Sequence, residues 1–228
     1  KYDMYQHIMN YWAETMQDDL YELAADGWEA GKEVSRIKKE VKKKGSEEKI
    51  KKDVEGIDGL EGRLIPPRLM IEIYFSKEQK AVDVLEEKKE TAIAKMKELQ
   101  EAYGNEDGLL GNAVEINEKQ KTMKITKKRL QSAIKDLGNR DEDNAEELDM
   151  LKQYEKLMEE ETRLKAAIKK ALTELEVLLI KKYPTLTIEE IKINVVDNKW
   201  MIRIEQLIKG ELENISHRLT QRIKELAD

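Results

Sequence analysis

Cysteine is absent from the 228-residue chain, which excludes disulfides, thiolate metal sites and a thiol nucleophile. Proline occurs three times, at 66, 67 and 184, so the Asn-Pro-Pro-aromatic and Asp-Pro-Pro-aromatic motifs of amino-methyltransferases cannot be present. No apolar run approaches the roughly 20 residues of a membrane span, and no signal-peptide pattern opens the chain. A cytoplasmic protein that does not enter a membrane is expected. There is no glycine-rich loop of the dinucleotide or P-loop kind. Basic residues do not prevail: the net charge is −6 and the pI near 5.4, the opposite of a dedicated nucleic-acid binder, whose affinity comes largely from phosphate neutralisation.

Chemistry-bearing clusters are equally scarce. The two histidines, His7 and His217, have no second histidine at ligand spacing and read as helix-surface residues. Glu159, Glu160 and Glu161 form one of many acidic runs that solvate helices. The segment "DEDNAEELD" at 141–149 has the charge of a calcium loop. It lacks the glycine at the sixth position and the glutamate at the twelfth, so it reads as an acidic helix start. No catalytic, cofactor-binding or metal-ligating residue is assigned.

What the chain does have is charge, 39% of its residues against the roughly 25% usual in globular domains. Alanine, leucine, glutamate, lysine and arginine make up about half of it, a composition of long helices or coiled coils when joined to heptad spacing. Residues 145–182 carry that spacing. Met150, Leu157, Leu164, Ala171 and Leu178 stand seven apart, Tyr154, Ile168 and Leu175 fill most of the alternate seam, and Glu161 interrupts it. From Arg68 to Tyr103 a second helical pattern buries Leu69, Ile73, Ala81, Leu85, Ala92, Met96, Leu99 and Tyr103, with Gly104 as its stop. At 1.5 Å per residue the two helices would each be about 50–57 Å long, which suggests an antiparallel hairpin. The glycine-rich excursion at 104–144 would lie at its tip. Within it Thr126 caps a helix from Lys127 to Leu137, ended by Gly138, and strand pairing near Met123–Ile125 is a weak signal.

The ends of the chain differ from the hairpin. Residues 3–24 form an amphipathic helix, with Asp3 and Gln6 as capping box and Tyr5, Ile8, Trp12, Met16, Leu20 and Leu23 on one face; Gly27 ends it. Half of the twelve aromatics lie in the first 28 residues. Aromatics bury much area and favour interfaces, so this helix is read as packing on the rest of the chain and on a neighbouring module. The start on Lys1 is read as a cut through a longer protein. Residues 32–52 hold ten basic and four acidic residues and read as a solvated helix or mobile arm, either a plain linker or a phosphate contact through Lys38, Lys39, Lys42, Lys43 and Lys44. The stretch has no aromatic for base stacking. Residues 53–62 read as a glycine-rich connector. After Pro184, Thr187 and Glu190 form a capping box. The last helix carries an apolar stripe of Ile208, Leu212, Ile215, Leu219, Ile223 and Leu226, interrupted at Gly210, where a bend is expected.

The fold expected is mainly α. A long antiparallel coiled-coil hairpin spans 63–183. A smaller helical subdomain is built from 1–62, with its basic linker, and the C-terminal segment 184–228.

Several blocks carry a resemblance. "YDMYQHIMNYWAETMQDDLY…DGW", "RLIPPRLMIEIYFSKEQKAVDVLE", "EDGLLGNAV", "LKQYEKLMEEETRLKAAIKKAL", "LLIKKYPTLTIEEIKINVVDNKWM" and "GELENISHRLTQRIKELA" resemble, in order, the C-terminal region of the DNA-methyltransferase (modification) subunit of bacterial type I restriction–modification systems. The resemblance covers nearly the whole chain outside 32–60. It implies a parent that uses S-adenosylmethionine to methylate adenine N6 through an upstream domain, so no catalytic residue and no cofactor falls on this chain. It also implies that this tail docks on helices of the DNA-specificity subunit. A second modification subunit and the restriction subunit complete the assembly, and DNA is met only through it. Two other readings stand beside it: a self-associating structural coiled coil, and an accessory DNA-contacting module.

Overall fold

A computed structural model describes residues 2–42, 49–105, 108–117, 122–137 and 145–227. Lys43, Lys44 and the expected stop at Gly138 lie outside these. The fold is mainly α, with three two-stranded antiparallel ladders. The chain divides into two compact units, one of residues 1–79 and 173–228, the other of residues 80–172. The division falls at 79/80 and 172/173, so residues 63–79 and 173–183 group with the chain ends.

The first unit opens with α1 (Tyr2–Tyr11) and α2 (Gln17–Asp26), joined by a π-helical turn at Trp12–Met16. Because α1 already includes Tyr2, the expected cap at Asp3 is not the helix start, and Gln6 Nε2 instead donates to Asn10 Oδ1 at 2.8 Å. The wide turn inserts a residue and rotates the faces on either side of it. As a result Tyr11, not Trp12, joins Met16 and Leu23 against the core, while Trp12 and Leu20 are more than a third exposed. Gly27 ends α2 with φ +69°, a conformation open to glycine.

Residues 32–52 are neither a helix nor a mobile arm over their described part. They begin a ribbon of two ladders: β1 (Val34–Arg36) with β4 (Leu60–Gly62), and β2 (Lys38–Lys42) with β3 (Lys49–Asp53). Ile37 N–H donates to Gly59 O and its carbonyl accepts from Val54 N–H, each at 2.9 Å, which joins the ladders. Val34, Ile37 and Val41, three and four apart, fit a helical period, but β-branched residues favour the pleated state and the return strand supplies the backbone partners. The expected connector at 53–62 therefore contains a strand, and its Gly56 takes φ +85°.

Pro67 begins α3 (Pro67–Tyr74), as its fixed φ allows, and Phe75 breaks the helix expected to run unbroken to Tyr103, so that α4 is Ser76–Tyr103. The core of this unit gathers Leu64, Ile65, Met70, Leu175, Leu179, Tyr183, Leu186, Ile191 and Val195. A fully buried aliphatic side chain contributes about 1.5–3 kcal/mol. Tyr183 is wholly buried; its hydroxyl donates to Ile65 O at 2.6 Å, and burial pushes its pKa well above the usual phenol value. The expected capping box is present: Thr187 Oγ1 accepts from Glu190 N–H, and Glu190 Oε2 accepts from Thr187 N–H at 2.8 Å. It starts α7 (Ile188–Lys192), which passes through a π-helical stretch, Ile193–Met201, into α8 (Ile202–Ala227). Gly210 lies inside α8 without breaking it.

In the second unit, the part of α6 (Ala145–Lys182) up to residue 172 and the part of α4 from residue 80 onward form the hairpin. Leu99, Ala102 and Tyr103 near the end of α4 line one groove with Gln153, Lys156 and Leu157 near the start of α6. Met96 shares a core cluster with Leu151 and Tyr154. The buried seam of α6 is Leu151, Tyr154, Leu164 and Ile168, continued by Leu175 and Leu179. Tyr154, Ile168 and Leu175 are the expected alternate seam, whereas of the Met150-to-Leu178 series only Leu164 is buried and Leu178 is 41% exposed. On α4, Val82 is buried where Ala81 was expected and Tyr103 is exposed, as is Ile73 on α3. Between the helices, β5 (Val114–Asn117) pairs with β6 (Thr122–Ile125), and α5 (Lys127–Leu137) buries Leu130, Ala133 and Leu137. α5 begins one residue after Thr126, as expected.

Two glycines should respond in opposite directions. A Cβ at Gly62 would stand 2.0 Å from Ile65 O and 2.5 Å from the Tyr183 hydroxyl, whereas one at Gly210 meets nothing within 4 Å. In urea denaturation, Gly62→Ala should lose about 2 kcal/mol or more through strain and the broken hydrogen bond. Gly210→Ala should gain about 0.5–1 kcal/mol from helix propensity.

Candidate interaction surface

The π-helical stretch decides which side chains of 193–201 point inward. Its wider turn brings residues five apart into line. Asn194, Val195 and Trp200 are buried, and the Lys199 side chain is only 13% exposed. Lys199 Nζ lies 2.8 and 2.6 Å from the two oxygens of Asp19 and donates also to Leu64 O at 2.7 Å. Trp200 Nε1 donates to Asp19 Oδ2 at 2.8 Å. Tyr11 hydroxyl donates to Lys199 O at 3.1 Å; burial first, and then the Asp19 carboxylate, push its pKa up. Asn194 Nδ2 donates to Tyr74 Oη at 3.0 Å, and Lys182 Nζ stands 4.4 Å from the centre of the Tyr74 ring. A buried charge is tolerated only when paired and hydrogen-bonded, and here each donor has an acceptor. The Asp19 carboxylate has no open side for a reacting group, so this cluster holds structure together.

A second charged cluster links α1 to α8. Glu211, 5% exposed, lies 3.6 Å from His7 Nε2 and accepts from Arg218 at 2.8 Å. Sequence reasoning missed Glu211, one of 34 glutamates; only its place one residue before Leu212 set it apart. His7 and His217 are exposed, as surface residues, and with Glu211 and Arg218 line a shallow recess. A third cluster sets Arg63 among Glu22, Asp26 and Glu33; its hydrogen bonds to these carboxylates raise its pKa further. Among the described residues no group of three His, Asp or Glu could hold a metal ion, and no helix is long and apolar enough to cross a membrane.

The predicted stripe lies on the open part of α8. Ile208 is half-buried. Leu212, Ile215, Leu219, Ile223 and Leu226 are 53, 41, 61, 58 and 73% exposed. On α1, which packs on α8, Tyr2, Tyr5 and Met9 are exposed, and so is Trp12 on the turn that follows. These exposed residues and the α8 stripe stand on two helices of the first unit that pack together. Of the predicted basic residues, Lys38 and Lys39 are exposed on β2, and Lys42 ends that strand. No family model, curated protein or solved structure matches the chain.

The Asp19–Lys199 pair makes a direct prediction. Asp19→Ala leaves Lys199 buried without its anion and should cost about 3–5 kcal/mol, read by urea denaturation. Asp19→Leu combined with Lys199→Met should cost clearly less than the sum of the single changes. Additive losses would mean that the two charges do not act as a pair.

Proposed function

We propose that the chain is a non-catalytic assembly module, the helical tail of a type I restriction–modification adenine-N6 methyltransferase subunit, and that α8 docks on helices of the DNA-specificity subunit. The observation that carries this reading is the run of exposed leucine and isoleucine from Leu212 to Leu226 on one helix. Isolated apolar residues on a surface are ordinary, but contiguous ones mark interaction sites. A stripe at spacings of three and four is the face that an amphipathic helix lays against a partner helix. The sequence blocks that resemble the family include this helix, and they include the segments that meet at Asp19, Leu64, Lys199 and Trp200. In this reading S-adenosylmethionine is bound by the parent's upstream domain, and the second modification subunit and the restriction subunit join the same complex in the cytoplasm.

Leu212, Leu219 and Leu226 also stand seven apart, the spacing of a coiled-coil seam. A second copy of α8 is therefore the competing occupant, and the two readings separate cleanly. Leu219→Asp should weaken capture of the specificity subunit by about 2 kcal/mol or more, as loss of an interface anchor does, while the melting temperature stays within a few degrees. Undiminished capture would reject the docking face. Light scattering should give a monomer at all concentrations; a concentration-dependent dimer that Leu219→Asp dissolves would favour self-association. Titration of the chain with S-adenosylmethionine in a calorimeter should give no binding heat.

A further inference from the structure

The β2–β3 hairpin is a second exposed feature that the docking reading leaves unused. Its strands, residues 38–42 and 49–53, hold six lysines and two acidic residues, a net charge of +4 in a chain whose total is −6, which leaves −10 for the remainder. The register shows where this charge stands. Lys38 faces Asp53 and Glu40 faces Lys51, but Lys39 faces Lys52. Directly opposed residues share one face of an antiparallel pair, a few ångströms apart, and like charges there destabilise the ladder. Lys39 and Lys52 are both exposed. Two lysines held together against their own repulsion form a place for an anion.

We infer that this hairpin is a contact for the phosphate backbone of duplex nucleic acid, independent of base sequence. The ligand chemistry follows from the residues present. Lysine ammonium groups attract phosphate as point charges without reading bases. The absence of aromatic residues from 32–52 leaves nothing on which unpaired bases could stack. It also leaves no aromatic anchor of the kind that accompanies lysines at membrane surfaces. The remainder of the chain, with a net charge of −10, does not favour a polyanion as a whole. The inference goes beyond the docking of α8 and does not depend on it.

The test is Lys39→Glu in the full chain. The new carboxylate would lie opposite Lys52, replacing a repulsive pair with an attractive one, so the hairpin should be kept and the melting temperature unchanged or higher. The same change removes one phosphate contact and occupies the other. Fluorescence anisotropy with a labelled duplex of arbitrary sequence should show salt-dependent binding by the natural chain. Lys39→Glu should weaken it about tenfold at low salt and lower the salt slope by about two contacts. Lys88→Glu, the same charge change at an exposed position on α4, should bind within twofold of the natural chain. The inference is overturned by absence of duplex binding at 50 mM salt, by equal losses in the two variants, or by polyglutamate or anionic vesicles of matched charge displacing the duplex as well as unlabelled DNA does. A lower melting temperature for Lys39→Glu would equally overturn the claim that the lysine pair is held at a cost.

Discussion

Asp19 is the carboxylate on which the first unit depends. It is almost fully buried, and its two oxygens take Lys199 Nζ and Trp200 Nε1 while Lys199 also reaches Leu64 O. One cluster thus joins α2, the segment before α3 and the π-helical stretch before α8, across sequence separations of up to 181 residues. Removing a carboxylate and an ammonium from water costs several kcal/mol each. The arrangement stands only because every group finds its partner. Such a cluster gives geometry more than net stability: slipping the register of either helix would leave a charge unpaired. Once α2 and the π-helical stretch are fixed, α1 and α8 extend from them and meet through His7 and Glu211.

Much of the local structure is legible in the chain because short-range chemistry sets it. Gly27 and Gly104 end helices where expected. Thr187 and Glu190 form their capping box, Thr126 precedes α5, and the double proline opens α3. The two π-helical segments leave no mark in a pattern of apolar residues at three and four, since a single inserted residue shifts the face without changing composition. That is why Tyr11 rather than Trp12 faces the core, and why Lys199, an ordinary lysine among many, lies in the interior. The ribbon at 34–62 was hidden for another reason. Val34, Ile37 and Val41 have helical spacing, and the backbone partners that make the segment a ribbon are on the return strand. On α6 the apolar residues are dense enough to define more than one seam, and burial selects Leu151 and Leu164 with Tyr154 and Ile168.

The exposed stripe from Leu212 to Leu226 was readable because it is periodic; that it remains uncovered is visible only in three dimensions. Among the described residues the buried side-chain polar groups are paired, and the first unit has its own apolar core. The longest run of exposed apolar residues follows the open length of α8, and others stand on α1. On the proposed reading this separation has a purpose: the core holds the two helices in place, and their free faces are left for another protein.

The most direct measurement of that reading is hydrogen–deuterium exchange of the chain with and without the specificity subunit. The account predicts that partner binding slows exchange along residues 208–226 and in α1, while the already protected stretch from Ile188 to Trp200 is unchanged. Protection that appears instead in α5 or the β5–β6 ladder, with α8 exchanging as before, would contradict it.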